Sequence, residues 1–407
     1  MDWEQRNLGE VIEKMYNGQT PSRLNPENWG GHINWLTSGE LNRSIVSKTI
    51  EKITEKGMKD ALLRVVPKGT FVISITGLEA AGTRGNCAIL AIDTTLNQSC
   101  MALYPNKNLL DSEFLFQWYR KVGEKYGIRY TQGTKQQSYN AELIKILPIS
   151  LPSLSEQFFI KELLFKLDQT ITLQQRRLEL LKKLKRGYLQ QMFPAKNQYS
   201  PRLRFGEFNG DWEQHKFYDT IKDIVDFRGR TPKKLGMDWS KSGYLALSAL
   251  NVKNGYIDFS SDAHYGNKEL YNKWMDGKDL YKGQVLFTTE APMGNVAQVP
   301  DNDKYILSQR TIAFRVRPDK ITDDFLALLL RSPKTVNELS SLASGGTAKG
   351  VSQKSLGQFK VNLPANLEEQ KEISIFFKCM NNIDALQQSK IEHQQQLKQA
   401  YLQKLFP

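Results

Sequence analysis

Apolar residues recur at alternating three- and four-residue intervals through Leu164, Leu167, Ile171, Gln174, Leu178, Leu181, Lys185, Tyr188 and Met192, with Gln174 and Lys185 as polar interruptions. That spacing lays one seam along a helix and is the pattern of a coiled coil. Near the C-terminus Phe377, Met380, Asp384, Gln387, Ile391, Gln394, Lys398, Tyr401 and Leu405 hold the same places in a more polar seam. Neither stretch has an internal proline, Gly187 is the one glycine, and Leu, Lys, Gln, Glu and Arg dominate, all good helix formers. Leu151-Pro152 and Leu363-Pro364 precede the two stretches, and Phe193-Pro194 and Phe406-Pro407 close them, which reads as start and stop signals. About 40 residues at roughly 1.5 Å each predict a rod near ~60 Å long. Two such rods in one chain are expected to pack antiparallel.

The rods are copies of one another. Residues 154–194 and 367–407 align at a constant offset of 213 with 15 of 41 positions identical, among them Leu, Glu-Gln, Leu-Gln-Gln and the closing Tyr-Leu-Gln…Phe-Pro. The segments before the rods repeat more faintly. Asp2-Trp3-Glu4-Gln5 returns at 211–214, Gly18-Gln-Thr-Pro-Ser-Arg23 returns as Gly229-Arg-Thr-Pro-Lys-Lys234, and Phe114-Leu115…Arg120 returns as Phe325-Leu326…Arg331. Gly133–Ser138 lies opposite Gly346–Val351. A repeat of this kind fixes the architecture before any single motif does. Each half is expected to be a mixed globular domain followed by a rod. Short strand candidates are Phe71 to Thr76, Cys87 to Ile92, Val285 to Thr289 and Thr311 to Val316, with a helix near each Phe-Leu. The expected organisation is a globular domain over 1–150, a rod over 151–194, a polar, basic linker over 195–210, a second globular domain over 211–363 and a second rod over 364–407. The fold class is α+β.

The 407 residues carry a formal net charge of +13. The excess is spread, +3 over residues 1–150 and +6 over 195–366, as on a broad folded surface for a polyanion and not as in a basic tail. The three cysteines, Cys87, Cys100 and Cys379, are odd in number and widely separated and read as free thiols in a reducing cytoplasm. No apolar run is long enough to span a membrane, and the N-terminus lacks the pattern of a secretory signal.

Two globular domains in tandem, each followed by a helix that begins after Leu-Pro…Glu-Gln and ends in Leu-Gln-x-x-Phe-Pro, resemble the specificity subunit of a Type I restriction–modification enzyme. The Gly-x-Thr-Pro-x-[Lys/Arg] loops and the entry Ser200-Pro-Arg-Leu-Arg-Phe-Gly-Glu-Phe-Asn-Gly-Asp-Trp-Glu-Gln214 carry the same likeness, and it covers nearly the whole chain. The first half lacks a counterpart of that entry. The resemblance implies a subunit without a catalytic site. Its two globular parts would be target recognition domains, each reading one half of a split, asymmetric site in double-stranded DNA. Its helices would set the spacing and dock two modification (methyltransferase) subunits. Those partners would carry S-adenosylmethionine, and restriction subunits would add translocation and cleavage with ATP and Mg; no cofactor is expected in this chain.

Reading residues should be loop residues rich in donors, because Arg and Lys pair with guanine or phosphate and Asn and Gln with adenine. In the first half these are Gln19, Thr20, Ser22, Arg23, Arg84, Lys135, Gln136, Gln137, Ser138 and Asn140. In the second they are Arg228, Arg230, Thr231, Lys233, Lys234, Asn295, Arg310, Thr347 and Lys349. For any one of them a solvated loop is the competing role. Trp29, Trp35, Trp239 and Trp274 are read as core before stacking platforms, and Trp3 and Trp212 as structural. No enzyme site emerges. The histidines (His32, His215, His264, His393) are scattered, and Cys87 and Cys100 have no partner pair for zinc. The glycine-rich 345–350 lacks the lysine of a phosphate loop, and neither a dinucleotide fingerprint nor the Asn/Asp-Pro-Pro-Tyr of amino-methyltransferases is present. Two other functions fit less of the chain: a stand-alone DNA-binding regulator whose rods pair its own halves, and a coiled-coil scaffold, which leaves the charge and the paired basic loops unexplained.

Overall fold

The computed structural model describes residues 3–79, 82–131, 137–261, 263–343 and 350–406. The chain forms two compact units, one of residues 1–176 with 388–407 and the other of residues 177–387. The division falls inside both rods. Each unit therefore holds one globular domain, the first half of the helix that follows it and the last half of the other helix. The helices themselves run unbroken over Leu154–Gln191 and Leu367–Leu405.

The two units share most of their sheet topology, with a fifth main-sheet strand in unit 1 and an extra hairpin, Val252–Lys253 with Tyr256–Ile257, in unit 2. In unit 1 the main sheet has the order Ile12–Asn17, Cys100–Pro105, Phe71–Ser74, Cys87–Leu90 and Ser44–Val46, antiparallel except for the last pair. In unit 2 it has the order Ile221–Asp226, Thr311–Val316, Val285–Thr288 and Val296–Gln298, all antiparallel. Beside it lies a three-stranded sheet: Glu51–Ile53, Trp29–Leu36 and Thr95–Leu96 in unit 1, and Tyr265–Gly266, Tyr244–Leu247 and Ile306–Leu307 in unit 2. In both, the final pair is parallel. A third, two-stranded sheet joins the ends of each globular domain, Glu4–Asn7 to Pro148–Leu151 and Glu213–Lys216 to Lys360–Leu363. The helix Ser112–Arg129 of unit 1 is cut in unit 2 into Asp323–Arg331 and Pro333–Leu342. Pro333 has no N–H to continue the first helix and serves instead in the first turn of the next, after the Ser332 cap.

The Glu-Gln that opens each rod ties it to its globular domain in the same way twice. The Gln157 amide donates to the carbonyls of Leu109 (2.9 Å) and Pro152 (3.0 Å) and accepts from the Asp111 N–H (3.0 Å). The Gln370 amide donates to Lys320 (2.9 Å) and Pro364 (3.5 Å) and accepts from the Thr322 N–H (3.1 Å). Both glutamines are fully buried, and Asp111 and Thr322 cap the helices that follow them. The preceding glutamates receive the tryptophans of the repeated Asp-Trp-Glu-Gln: Trp3 Nε1 to Glu156 at 3.2 Å and Trp212 Nε1 to Glu369 at 3.3 Å. Glu369 is buried and also takes both arms of Arg204 at 2.6 and 2.7 Å. Residues 195–210 are thus strapped down by Arg204, because a buried carboxylate needs a cation. The closing Phe of each rod packs on the other half's Trp and Phe. Phe406 meets Trp3 and Phe114 at 6.0 and 5.3 Å, and Phe193 meets Trp212 and Phe325 at 5.8 and 5.5 Å.

Within each unit the two rod segments run antiparallel. In unit 2, Lys185 pairs with Asp384 at 2.7 Å and Tyr188 packs on Phe376, so one index rises as the other falls. In unit 1, Asp168 receives both Lys398 and Arg120. The charged seam positions Lys185, Asp384 and Lys398 are therefore ion-paired. Burial, with Arg120 beside it, pulls the Lys398 ammonium down to about 8 against the attraction of Asp168. Burial raises the Asp168 carboxyl, but Arg120 and Lys398 outweigh it and hold the group below its ordinary value.

Two outcomes follow. Gln370→Ala strands the Thr322 N–H and two carbonyls in the interior and is expected to cost about 2–3 kcal/mol, read from urea unfolding at unchanged m-value. Lys398 titrates lower in the folded than in the unfolded chain, where a lysine sits near ~10.4. Between about 8 and that value the unfolded state binds more protons, so this group makes stability rise with pH. Unfolding of wild type and Lys398→Met from pH 8 to 10.5 should show the rise only in the wild type.

Candidate DNA interface

The two Thr-Pro loops occupy the same place in each unit, running on from the outer strands Ile12–Asn17 and Ile221–Asp226. In unit 1, Gly18 passes so close to the strand Thr95–Leu96 that a Cβ on it would lie 2.0 Å from the Leu96 carbonyl oxygen. In unit 2, Gly229 instead adopts a left-handed φ of +76°. Pro21 and Pro232 are both buried and anchor the turn.

The residue before each threonine is held by its carbonyl. Trp35 Nε1 donates to Gln19 at 3.1 Å, and Gln309 Nε2 donates to Arg230 at 2.6 Å. In unit 1 the repeat partner of Gln309, Gln98, binds the Thr20 hydroxyl. These glutamines were not among the candidate residues. The signal was present in Leu96-Asn-Gln98 and Leu307-Ser-Gln309, which share the offset of 211 with the Thr-Pro loops.

Three of the arginine candidates, Arg23, Arg228 and Arg310, are oriented by carboxylates of their own domain. Arg23 lies over the Trp29 ring at 3.7 Å and forks onto Glu51 at 2.6 and 2.8 Å. Arg228 forks onto Asp226 at 2.7 and 2.8 Å, and Arg310 Nε lies 3.3 Å from Glu290. Arg228, Gln353 and the Arg228 N–H outweigh burial and lower the Asp226 carboxyl. Arg230 lies over Phe227 at 4.6 Å and donates to the Trp274 carbonyl, while Lys234 Nζ donates to the Gly229 carbonyl at 2.7 Å. Exposed pairs of this kind hold a side chain in place at small net energy, about 0–1 kcal/mol, so exchanging the carboxylate for a phosphate or a base edge is cheap. Lys233 is exposed and has no side-chain partner among the described residues.

In unit 2 the structure brings Thr231, Lys233 and Arg310 together around an open cleft of about 440 Å³, with Gln309, Trp239 and His264 in its walls. Trp239 and His264 stack at 5.5 Å, and Trp274 is buried with Nε1 on the Leu307 carbonyl at 2.8 Å. In unit 1, Gln19, Thr20, Ser22 and Arg23 share the loop, and the Ser22 carbonyl accepts Trp29 Nε1 at 3.1 Å. Arg84 and Gln137 form a second group, with Arg84 Nη2 donating to the Glu79 carbonyl at 2.9 Å and to Gln137 Oε1 at 3.4 Å. Ser138 bridges to Thr76. Asn140 caps the helix Ala141–Lys145, and Asn295 ties its amide to the Val252 carbonyl at 2.9 Å. Those two side chains serve the local fold in the free chain. Lys135, Gln136, Thr347 and Lys349 lie outside the described residues.

No group of three His, Cys, Asp or Glu is placed to hold a metal among the described residues. Cys87 and Cys100 are buried, and burial raises both thiols, Cys87 to about 12.

The family model described as Type I restriction modification DNA specificity domain matches residues 1–183 and again 210–396. The chain belongs to that family and carries its domain twice. It is similar to the Type I restriction enzyme MjaVIII specificity subunit of Methanocaldococcus jannaschii, 26% identical over 390 residues that span 94% of this chain and 87% of the relative. Its fold is similar to the crystal structure of a Type I restriction–modification system S subunit from M. genitalium, with a TM-score of 0.61 at 13% identity, over 100% of this chain and 96% of the other. A chain from a structural study of complex assembly and conformational transition of the type I R-M system gives a TM-score of 0.58 at 16% identity, over 99% and 97% of the two chains.

Lys233→Ala is expected to weaken binding to a cognate duplex about tenfold and to reduce the slope of log K against log salt by about one, as for a lost phosphate contact. Arg310→Ala, on the cleft wall, should instead relax base preference at one position of the site. Affinities for the duplex and its single-base variants at four salt concentrations separate the two effects.

Proposed function

We propose that this chain is the DNA sequence-recognition subunit of a Type I restriction–modification complex, each globular domain reading one half of a bipartite, asymmetric site. The observation that carries this is one frame built twice with different reading loops. The clamp, the order of the shared strands and the place of the Thr-Pro turn repeat, whereas Gln19-Thr-Pro-Ser-Arg23 on a Trp29–Trp35 platform in unit 1 is replaced by Arg230-Thr-Pro-Lys-Lys234 on Phe227 and Trp274 in unit 2. A symmetric reader matches a palindrome; two unlike readers on one chain match unlike half-sites. Family membership sets the stand-alone regulator aside.

The long helices supply the spacing and the docking surface for methyltransferase subunits. Exposed leucines persist at equal repeat positions, Leu173 and Leu386 at 69% and 71% exposure and Leu184 and Leu397 at 49% and 38%. Two equivalent apolar positions per rod favour two copies of one partner. In this reading the chain is the non-catalytic member of the complex. S-adenosylmethionine belongs to the methyltransferase subunits, and ATP and Mg to the restriction subunits. The complex works on chromosomal DNA in the cytoplasm; no helix among the described residues is long and apolar enough to cross a membrane.

The test is modified-base sequencing of DNA from cells that carry the cognate methyltransferase with and without this chain. Methyladenine at one split asymmetric motif only when the chain is present is the expected result. Insertion of one matched helical turn into both rods should lengthen the unread gap and leave both half-motifs unchanged. A soluble complex with the methyltransferase and no chain-dependent motif would overturn the reading.

A further inference from the structure

Arg120 and Arg331 hold the same place in the two halves, at an offset of 211. In unit 1, Arg120 Nη1 meets Asp168 Oδ2 at 2.5 Å, and the same carboxylate receives Lys398. The repeat partner of Asp168 is Asn381, and that of Lys398 is Lys185, both at offset 213. In unit 2 a carboxylate returns three residues along the helix, at Asp384, where Lys185 takes it at 2.7 Å. The lysine has kept an acid and the arginine has lost one.

Arg331 is left as a largely buried guanidinium. Among the described residues its one side-chain hydrogen bond is from Nε to the Ala327 carbonyl at 3.1 Å. Burial alone lowers its pKa, with no carboxylate to offset it. A buried cation without a counter-ion is costly, and proteins normally pair it. The guanidinium lines a cleft of about 370 Å³ in unit 2 together with Asn381, Lys378, Tyr256 and Phe259. The carboxylate in that cleft, Asp324, is already taken by Lys378 at 2.6 Å and the Gln298 amide at 2.9 Å. Gly255, at φ +98°, leaves the room that Arg331 uses, since a Cβ there would lie 2.8 Å from Nη1.

We propose that this cleft is an oxyanion site in which Arg331 takes a carboxylate or phosphate group of a small molecule, in place of the aspartate that Arg120 keeps. The planar fork of an arginine donates two parallel N–H bonds to such groups. The Asn381 amide adds a donor where unit 1 has an acid. Tyr256 and Phe259, 60% and 49% exposed, offer apolar surface to the body of an organic anion. This assignment does not rest on the DNA-reading role.

The experiment is thermal unfolding of the full chain at fixed sodium chloride, titrated with inorganic phosphate and, separately, with citrate. The melting temperature of the wild type should rise saturably with at least one of them, and the more effective arm distinguishes phosphate from carboxylate. Asn381→Asp restores the internal acid with almost no change in shape. It should raise the melting temperature in anion-free buffer and weaken the anion response by at least about tenfold. Arg331→Gln should abolish the response, and Asn381→Asp keeps the test decisive if that variant folds poorly. An unchanged response in Asn381→Asp, or a lower melting temperature, would overturn the proposal. So would weakened duplex binding by Asn381→Asp, which would assign Arg331 to a DNA phosphate.

Discussion

The buried amide at the start of each rod is the constraint on which the rest depends. A glutamine side chain offers one acceptor and two donors, and Gln157 and Gln370 spend them on the same three groups. One is the N–H of the residue that caps the domain's main helix; the others are carbonyls on either side of the domain–helix junction. No apolar residue can meet those groups, and an unmet one inside the protein costs more than the bond itself contributes. The tryptophan–glutamate bond beside it fixes the first strand to the same turn. The closing phenylalanine then lays the far end of the other rod on the same aromatic pair. Three links of different chemistry converge on one corner of each unit, and they bind a helix end that arrives from the other half of the sequence.

This frame leaves the loops free to differ. Gly18 and Gly229 are the same letter in the repeat with different physical reasons, close approach to a carbonyl in one and a left-handed turn in the other. The glutamine behind the turn binds a threonine hydroxyl in unit 1 and a backbone carbonyl in unit 2. The turn keeps its place in the frame while its backbone and the side chains that project from it diverge. A reading surface that changes without disturbing its support needs that separation.

Much of the frame was legible from spacing, because rods and central strands are set by periodicity over many residues. The expected strand Phe71 to Thr76 appears as Phe71–Ser74, and Thr311 to Val316 appears unchanged. Trp3 and Trp212 were readable as structural from their equivalence alone. What spacing could not carry is pairing across long separations. Glu51 lies 28 residues from Arg23, and Arg204 lies 165 from Glu369. The two-residue strands Thr95–Leu96 and Ile306–Leu307 have no period to detect. The DNA candidates were chosen as free donors, yet Arg23 and Arg310 are each held by a carboxylate that no local pattern announces, while Arg228 is held by Asp226 only two residues before it.

That pairing changes how a positive surface should be understood. A net charge of +13 suggests donors waiting in solvent. Here Arg23, Arg228 and Arg310 are held by neighbouring acids, and Arg23 and Arg230 also lie over aromatic rings, so their geometry is set before any partner arrives, and less rotamer entropy remains to be lost on binding. The acid that orients each arginine also weakens its long-range pull on a phosphate backbone. In the proposed DNA-reading role, attraction at a distance would fall to Lys233, which has no acid paired with it among the described residues, and geometry to the paired arginines. One carboxylate is enough to set such a role: the cation holds the same place in both halves, and what it can bind depends on whether the helix beside it carries Asp168 or Asn381.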